Sequence, residues 1–269
     1  MTGKAIRLNR LFAPSGQLLA VPLDHGVTLG PLEGLTEIHN LVKAVTAGGA
    51  DAVIVHKGLA RQIAGVLSSG QCDLIVHLSA STALSPEPNH KEVVSSVEHA
   101  VRLGATAVSV HVNLGAATEN KMLEDLGRVA DACELWGMPL LAMMYVRDGK
   151  PASEYDPVKV AHAARVAEEL GADIVKVNYT GSPESFMTVT GGIRIPVLIA
   201  GGPKTASTGE LLTMIYEAQQ AGSLGVAIGR NIFQHAHPLQ LTAAIRRILD
   251  GKTEASQLAK LASSVDDQH

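Results

Sequence analysis

A short apolar run followed by an amphipathic helical pattern recurs along the chain, and this rhythm limits the possible folds more than any other feature. The apolar runs are nearly continuous, as expected of parallel strands that are buried on both faces. Eight strands are predicted, at 18–23, 51–56, 73–78, 107–112 and 139–144, in the run that contains Lys176, and at 196–200 and 225–228. Eight units of strand and helix predict an α/β protein with the closed (β/α)8 TIM-barrel fold.

Helical patterns occupy the intervals between the predicted strands. They are predicted at 35–47, just after 58, and at 91–103, 119–136, 157–170, 182–190, 208–221 and 238–249. The segment 79–89 is rich in Ser and Pro and is predicted as a loop. An open doubly wound sheet is the alternative fold. Such a sheet would place a Gly-rich dinucleotide fingerprint after the first strand, where this chain has Asp24-His25-Gly26.

The length of 269 residues suits one barrel, which typically takes about 250 residues, or two small domains. We predict a single domain over 1–269, with a polar and basic N-terminal extension at 1–16 that caps one end and a polar tail at 251–269. The formal net charge is -4, and no block of like charges stands out. This balance argues against a general nucleic-acid-binding protein, although it permits a local phosphate pocket.

The two cysteines, Cys72 and Cys133, do not have metal-ligand spacing and are expected to be free, buried thiols. Free thiols are typical of a reducing compartment. The chain has no apolar run of about 20 residues and no signal-peptide core, so a soluble, cytoplasmic protein is expected.

Lys176 lies inside an apolar run of strand length and is the most unusual residue of the sequence. Burying an ammonium group there costs several kcal/mol unless the group is paired or loses its proton. A deprotonated lysine is a nucleophile that can form a Schiff base with a carbonyl compound. The alternative is a lysine at the end of a strand that reaches solvent or an ion pair, and the segment alone leaves both open.

In a barrel, chemistry takes place where the strands end and the βα loops begin. Polar residues and glycines at the predicted strand ends form the set of candidates: Asp24, His25, Lys57, His77, Ser79, His111, Asn113, Tyr145, Arg147, Lys176, Tyr179, Gly201, Gly202, Lys204, Gly229 and Arg230.

The last two strands end in Gly201-Gly202 and Gly229-Arg230. Glycines let backbone N–H groups approach an anion, and the loops after strands seven and eight are the usual phosphate site of such barrels. The pattern therefore favours a phosphate site over the alternative, two glycine turns with solvent-exposed cations.

Asp24 and Tyr145 are ambiguous from the residues alone. Asp24 can act as a base, bind a metal or stabilise a turn. The phenol of Tyr145 can donate a proton or simply pack and form a hydrogen bond. Four histidines fall at or near the first four strand ends: His25, His56, His77 and His111. They could bind zinc, but without an H-x-H or carboxylate cluster the sequence favours hydrogen-bonded or substrate-contacting histidines.

Several motifs together resemble one family. They are Leu23-Asp24-His25-Gly26, Met143-Met144-Tyr145, Asp173-Ile174-Val175-Lys176, Ala200-Gly201-Gly202-Pro203-Lys204 and Gly229-Arg230-Asn231-Ile232-Phe233-Gln234. The family is the Schiff-base aldolase group that contains archaeal-type class I fructose-bisphosphate aldolase and 2-amino-3,7-dideoxy-D-threo-hept-6-ulosonate synthase. The resemblance covers about residues 5–250. The segments 77–79, 108–113 and 136–140 are closer to the heptulosonate synthase branch.

The resemblance implies a role for each matching residue. Lys176 would be the Schiff-base lysine, Tyr145 the proton donor and Asp24 the acid/base partner. The phosphate would be held by Gly201, Gly202, Gly229 and Arg230. The remaining substrate contacts would come from His25, Gly26, Val27, Thr28, His111, Val146 and Arg147. The chemistry implies no metal and no cofactor, because the iminium group serves as the electron sink.

The resemblance also implies an activity, with small-molecule substrates and neither nucleic acid nor membrane as a partner. A phosphorylated keto-sugar donor, 6-deoxy-5-ketofructose 1-phosphate or dihydroxyacetone phosphate, would be joined to L-aspartate 4-semialdehyde. The C7 amino keto acid would serve 3-dehydroquinate or aminohydroxybenzoate synthesis. Relatives imply a homo-oligomer such as a decamer. The chain departs from the family at Val146-Arg147-Asp148-Gly149, where relatives often have Pro-Arg-Gly, and this affects the expected donor.

Three alternative functions remain beside this one. They are a class I fructose-bisphosphate aldolase, a non-catalytic barrel that binds a sugar phosphate, and a metal-dependent isomerase.

Overall fold

The computed structural model describes residues 2–67 and 70–267, and within them eight parallel strands close into a barrel. The strands are β1 Leu18–Pro22, β2 Ala52–Val55, β3 Asp73–His77, β4 Ala107–Leu114, β5 Leu140–Val146, β6 Ile174–Val177, β7 Val197–Ala200 and β8 Gly225–Ala227. Each strand pairs with its neighbours in sequence, and β8 pairs with β1. The predicted TIM barrel is therefore confirmed, and the open doubly wound sheet is ruled out because its strand order would reverse.

Helices follow every barrel strand and form the outer layer. Those between the strands are His25–Leu29, Ile38–Ala47, Lys57–Leu67, Val97–Arg102, Glu119–Trp136, Pro157–Glu169, Pro183–Thr190 and Thr208–Gln220. After β8 come Arg230–Phe233, Pro238–Leu249 and Leu258–Asp266, and Thr2–Leu11 precedes β1. Short 3-10 turns cover Pro151–Tyr155 and Ala255–Gln257.

The segment after β3 differs from the prediction. The helix expected at 91–103 begins only at Val97, because the Ser96 side chain accepts a hydrogen bond from the His99 backbone N–H and caps it there. The preceding residues Glu92–Val93 instead pair antiparallel with Ser79–Ala80. The expected loop at 79–89 is thus part of a hairpin over the carboxyl end of the barrel, which we call the β3 hairpin (79–93).

The barrel interior is filled by a compact apolar cluster. Its fully or almost fully buried members are Leu11, Leu18, Ala20, Ala52, Ile54, Ile75, Ala107, Leu141, Met143, Ile174, Leu198 and Ala227. Side chains alternate along each strand, so in β6 Ile174 faces inward, Val175 outward and Lys176 inward again. The register places Lys176 beside Met143 of β5 and Leu198 of β7. Sequence period and barrel closure together therefore direct this lysine into the interior.

The N-terminal helix Thr2–Leu11 packs against the interior cluster. Leu11 is completely buried, and Leu8 and Phe12 pack beside it. Lys4 ties the helix to the barrel through an ion pair of 3.2 Å with Asp173, at the start of β6. The helix thus covers the end of the barrel opposite the strand carboxyl ends.

The segment expected only as a polar tail ends in the helix Leu258–Asp266. Its apolar positions Leu258, Ala262 and Val265 share one helical face and are buried. The hydroxyl of Thr208 donates a hydrogen bond of 2.6 Å to Asp266. The prediction missed this helix because its few apolar residues are spread through a segment that is polar in overall composition.

Cys72 and Cys133 are both free and buried, and burial raises the pKa of each thiol to about 12. In the part of the chain that the structure describes, no helix combines the length and the apolar character that a membrane crossing requires.

We expect Leu11→Ala to lower the free energy of unfolding by about 2–5 kcal/mol, because the cavity it leaves lies inside a packed core. Urea denaturation monitored by circular dichroism measures this loss. The matched control is Ile6→Ala on the same helix, where the side chain is 56% exposed and the change should stay within about 0.5 kcal/mol. Equal effects of the two substitutions would contradict the packing described for this helix.

Candidate active site

A cavity of about 330 Å³ opens at the carboxyl ends of the barrel strands. It is lined by Asp24, His25, Thr28, Leu29, His56, His77, Ser79, Ala80, Ser81, Lys91, His111, Met143, Tyr145, Arg147, Glu154, Tyr155, Lys176, Asn178, Ala200, Gly201, Gly202, Pro203, Ala227, Gly229 and Arg230. Residues from all the barrel strands or the loops after them therefore converge on one concave surface, as in other barrel enzymes.

Lys176 lies at the floor of this cavity and is 7% exposed. Its strand neighbours Met143 and Leu198 are apolar. Among the described residues, no carboxylate forms an ion pair with its ammonium and no group accepts a hydrogen bond from it. The alternative of a strand-end lysine that reaches solvent or an ion pair is therefore not what the structure shows.

Asp24 follows β1 and lies across the cavity from β6. Its carboxylate is 3.3 Å from Nδ1 of His25 and 3.7 Å from Nε2 of His77. Burial opposes ionisation, but the hydrogen bond from His25 and the electrostatic interactions with His77, His25 and Lys176 outweigh it and hold the Asp24 pKa far below its usual range. Asp24 is thus a carboxylate at neutral pH, and it interacts electrostatically with Lys176.

His77 extends inward from the end of β3 and is almost completely buried. Burial lowers its pKa to about 4, although the charge of Asp24 opposes this shift. The ring is therefore neutral at neutral pH. Its Nδ1 lies 2.8 Å from the Ser109 hydroxyl. Because Nε2 faces the Asp24 carboxylate, the consistent tautomer carries its proton on Nε2 and accepts from Ser109 at Nδ1.

Tyr145 is the last residue of β5 whose side chain faces the barrel interior, and it packs between two polar side chains. Its ring centroid is 4.9 Å from that of His111, and the Arg147 guanidinium lies 5.4 Å from the ring centre. Burial holds the pKa of His111 well below its usual value, so this ring is neutral and its Nε2–H donates to Asn113 at 2.9 Å. Arg147 pairs with Glu154. The phenol is thus fixed in the cavity wall by its neighbours.

The turns after β7 and β8 are held together by hydrogen bonds. Arg230 donates to the Gly202 carbonyl at 3.2 Å, and the amide of Asn231 donates to the Gly201 carbonyl at 3.0 Å. Gly202 has a φ of 64°. A Cβ on Gly229 would lie 2.4 Å from the Pro22 carbonyl oxygen. Only glycine therefore fits at position 229, where the chain after β8 approaches β1, and residues of both turns line the cavity.

Most predicted site residues line the cavity, and of those to which the resemblance gives a role, three do not: Gly26, Val27 and Val146. Gly26 and Val27 instead line a neighbouring, largely apolar cavity of about 720 Å³, which shares Asp24, His56 and His77 with the first. Val146 is buried between the strands and the surrounding helices, because it is one residue out of phase with the inward-facing Tyr145. Its side chain does not face the cavity. Four further strand-end candidates also lie outside the cavity lining: Lys57, Asn113, Tyr179 and Lys204. Of these, Lys204 is exposed and donates to the Gln234 carbonyl.

The cavity also contains residues that the sequence did not single out. They are Ser81, Lys91, Glu154 and Asn178. Lys91 was missed because 91–103 was predicted as a helix on the outer layer, whereas the β3 hairpin turns it towards the cavity. The signal available in the sequence was Ser96, a preferred helix N-cap five residues later. For the described residues, no group of three His, Cys, Asp or Glu side chains is arranged to hold a metal ion.

Comparison with known proteins gives concordant results over most of the chain. Residues 18–235 match the family described as DeoC/LacD family aldolase. The 2-amino-3,7-dideoxy-D-threo-hept-6-ulosonate synthase of Halobacterium salinarum is 44% identical over 266 residues, which cover 98% of each chain. The 2-amino-4,5-dihydroxy-6-oxo-7-(phosphonooxy)heptanoate synthase of Streptomyces griseus is 43% identical over 236 residues, or 87% of this chain and 86% of that one.

A solved structure with a trapped intermediate is also similar. It is an archaeal fructose-1,6-bisphosphate aldolase with its catalytic Lys covalently bound to the carbinolamine intermediate of the substrate. The TM-score is 0.85 and the identity 32%, and the match covers 92% of this chain and 100% of that chain.

The neutral His77 ring makes stability depend on pH. Between its usual pKa of 6.5 and about 4, the unfolded chain binds a proton at His77 that the folded protein does not. Stability should therefore fall by roughly 2–4 kcal/mol as the pH drops through this window. Because Gln does not titrate there, His77→Gln should flatten the curve, measured by urea unfolding at a series of pH values. The exposed control His39→Gln should leave it unchanged, and an unchanged slope in His77→Gln would contradict the assignment.

Proposed function

The chain belongs to the DeoC/LacD family of aldolases, and from this premise we propose that it is a Schiff-base aldolase that makes a seven-carbon amino keto acid. It would join a phosphorylated keto-sugar donor, 6-deoxy-5-ketofructose 1-phosphate or dihydroxyacetone phosphate, to L-aspartate 4-semialdehyde. One observation carries the proposal: the Lys176 amine is buried without an ionic partner in the same cavity as two glycine turns suited to a phosphate.

The first step is attack of the deprotonated Lys176 amine on the donor ketone. The C=O bond opens to a carbinolamine, and loss of its hydroxyl as water gives an iminium ion. The phenol of Tyr145 is the proton donor that converts this hydroxyl into a leaving group. The packing of Tyr145 against His111 and Arg147 supports this role, because it holds the phenol in the wall of the cavity that contains Lys176.

The iminium ion is the electron sink for the carbon chemistry. Loss of a proton from the α-carbon of dihydroxyacetone phosphate gives an enamine. A longer donor gives the same kind of enamine by cleavage of its Cα–Cβ bond, when the β-hydroxyl loses its proton and the other fragment leaves as an aldehyde. The enamine carbon attacks the aldehyde carbon of the acceptor, whose oxygen takes up a proton. Hydrolysis of the new iminium ion then frees the product and restores the Lys176 amine.

Asp24 is the acid/base partner in this cycle. It is ionised at neutral pH, so it can accept a proton from the lysine ammonium or from an intermediate hydroxyl. His25 and His77 fix its two oxygens from one side, which leaves its charge to act on Lys176 from across the cavity.

The donor phosphate would bind at Gly201, Gly202, Gly229 and Arg230. The turns follow β7 and β8, and β7 lies directly beside the strand that carries Lys176. Backbone N–H groups and the Arg230 guanidinium suit an anionic oxygen there. Anchoring the phosphate positions the ketone over the amine, so that binding energy contributes to the chemical step. Class I cleavage of fructose 1,6-bisphosphate is the second candidate function, favoured by the similar archaeal aldolase structure.

Sodium borohydride added with a bound donor should reduce the iminium ion and leave a stable adduct on Lys176, because reduction removes the C=N bond that water would hydrolyse. Peptide mapping by mass spectrometry identifies the modified residue. Lys176→Met should form no adduct and should lose activity by at least about 10³-fold. Lys204→Met, which removes an exposed lysine near the same mouth, should still be modified at Lys176.

Assays of the same protein with L-aspartate 4-semialdehyde and each donor in turn identify the substrate. Formation of the amino keto acid supports the proposed reaction, and cleavage of fructose 1,6-bisphosphate at a higher kcat/KM would favour the second candidate. An active enzyme that acquires no adduct at Lys176 from any donor would overturn the Schiff-base mechanism.

A further inference from the structure

Apart from Lys176, two basic side chains on the cavity wall have no carboxylate partner among the described residues: Lys91 and Arg230. Of the other charged groups there, Arg147 is paired with Glu154, and the Asp24 carboxylate is engaged by histidines. Arg230 belongs to the proposed phosphate site. A cation that lines a cavity and has no carboxylate partner is suited to bind an anionic ligand. Lys91 therefore points to a second anion in the bound substrates.

Lys91 is held in place by the β3 hairpin. Its ammonium donates a hydrogen bond to the Ser81 hydroxyl, which donates in turn to the Pro88 carbonyl at 2.8 Å. The hairpin is fastened to the barrel by the Asn113 amide, which donates to the Asn89 carbonyl at 2.7 Å. These hydrogen bonds restrict the Lys91 side chain before any ligand binds. Binding therefore costs less side-chain entropy than it would for a freely moving lysine.

The position of Lys91 separates it from the proposed phosphate site. It follows β3, whereas the phosphate turns follow β7 and β8, with β1 and β2 between them on the shorter arc. It nevertheless lines the same cavity as Lys176 and Tyr145. The donor phosphate and a second anion can therefore occupy the cavity at the same time.

We propose that Lys91, positioned by Ser81, binds the carboxylate of the acceptor aldehyde and so selects an aldehyde that carries an anionic group. The inference rests on the proposed function. When dihydroxyacetone phosphate is the donor, the acceptor must bring its aldehyde carbon to the enamine while the donor phosphate occupies the turns after β7 and β8. Its carboxylate then needs a cation elsewhere on the wall. Arg230 is used by the phosphate, Arg147 is paired and Lys176 reacts with the donor, so Lys91 is the basic side chain of the cavity that remains for this carboxylate.

A phosphate could supply the same anionic chemistry. With 6-deoxy-5-ketofructose 1-phosphate, a 7-deoxy product requires the imine to form at carbon 5, so the phosphate lies on the departing fragment. That fragment occupies the side of the cavity that the acceptor later enters. The test must therefore distinguish a carboxylate on the acceptor from a phosphate on the far end of the donor.

The test uses Lys91→Met in the full chain, with dihydroxyacetone phosphate as donor and two acceptors. L-aspartate 4-semialdehyde carries the carboxylate, and 3-aminopropanal is the same aldehyde with hydrogen in its place. The substitution should raise KM for the semialdehyde roughly 10- to 100-fold, with kcat changed less than about threefold. KM for 3-aminopropanal should stay within about twofold. Lys260→Met, on the exposed face of the C-terminal helix, is the matched control.

Equal effects on both acceptors, or no effect on either, would overturn the proposal. So would weaker borohydride trapping of 6-deoxy-5-ketofructose 1-phosphate but unchanged trapping of dihydroxyacetone phosphate, because that result assigns Lys91 to a phosphate. Ser81→Ala, a milder change, should shift KM for the semialdehyde in the same direction, and it keeps the test valid if Lys91→Met folds poorly. Failure of the proposed function shows separately, as a wild-type enzyme that forms no adduct at Lys176.

Discussion

The position of one amine inside the ring of strands is the constraint on which the rest of the structure depends. Closure of the barrel fixes which side chains of β6 face inward. Ile174 and Lys176 face the interior, and Val175 faces the surrounding helices. Below the amine, the interior is apolar and is covered at its far end by Leu11 of the N-terminal helix. Above it, the strand ends supply the polar groups. The lysine thus lies at the boundary between a packed core and a polar mouth.

Charge around this boundary is distributed unevenly, and burial is the main cause. His77 and His111 lose their charge because desolvation outweighs the attraction of Asp24 for His77 and the hydrogen bond to Asn113 for His111. Asp24 keeps its charge because hydrogen bonding and nearby positive groups outweigh desolvation. The result is an ionised carboxylate next to neutral imidazoles. Groups in different protonation states at one site can both donate protons to a bound ketone and accept protons from it.

The sequence predicted the fold well because the signal of each strand and helix is local. The family, the TIM barrel and the aldolase class are confirmed, and the predicted helix 119–136 has the same bounds as Glu119–Trp136. The β3 hairpin was missed because its register depends on contacts with β4, such as that of Asn113 with the Asn89 carbonyl, which no local pattern encodes. Lys91 was missed with it. The inward position of Tyr145 and the outward position of Val146 follow from the strand period, whereas the resemblance places both at the site, Tyr145 as the proton donor and Val146 as a substrate contact. The roles of the site residues, the oligomeric state and the compartment stay predictions.

The most direct test of the central claim is a crystal structure of the protein frozen after soaking with dihydroxyacetone phosphate. We expect continuous electron density from Nζ of Lys176 to carbon 2 of the ligand, with phosphate oxygens about 2.7–3.2 Å from backbone N–H groups of the turns at Gly202 and Gly229. A fully occupied ligand whose phosphate lies elsewhere, or whose carbonyl carbon is out of reach of an unmodified Lys176, would contradict it.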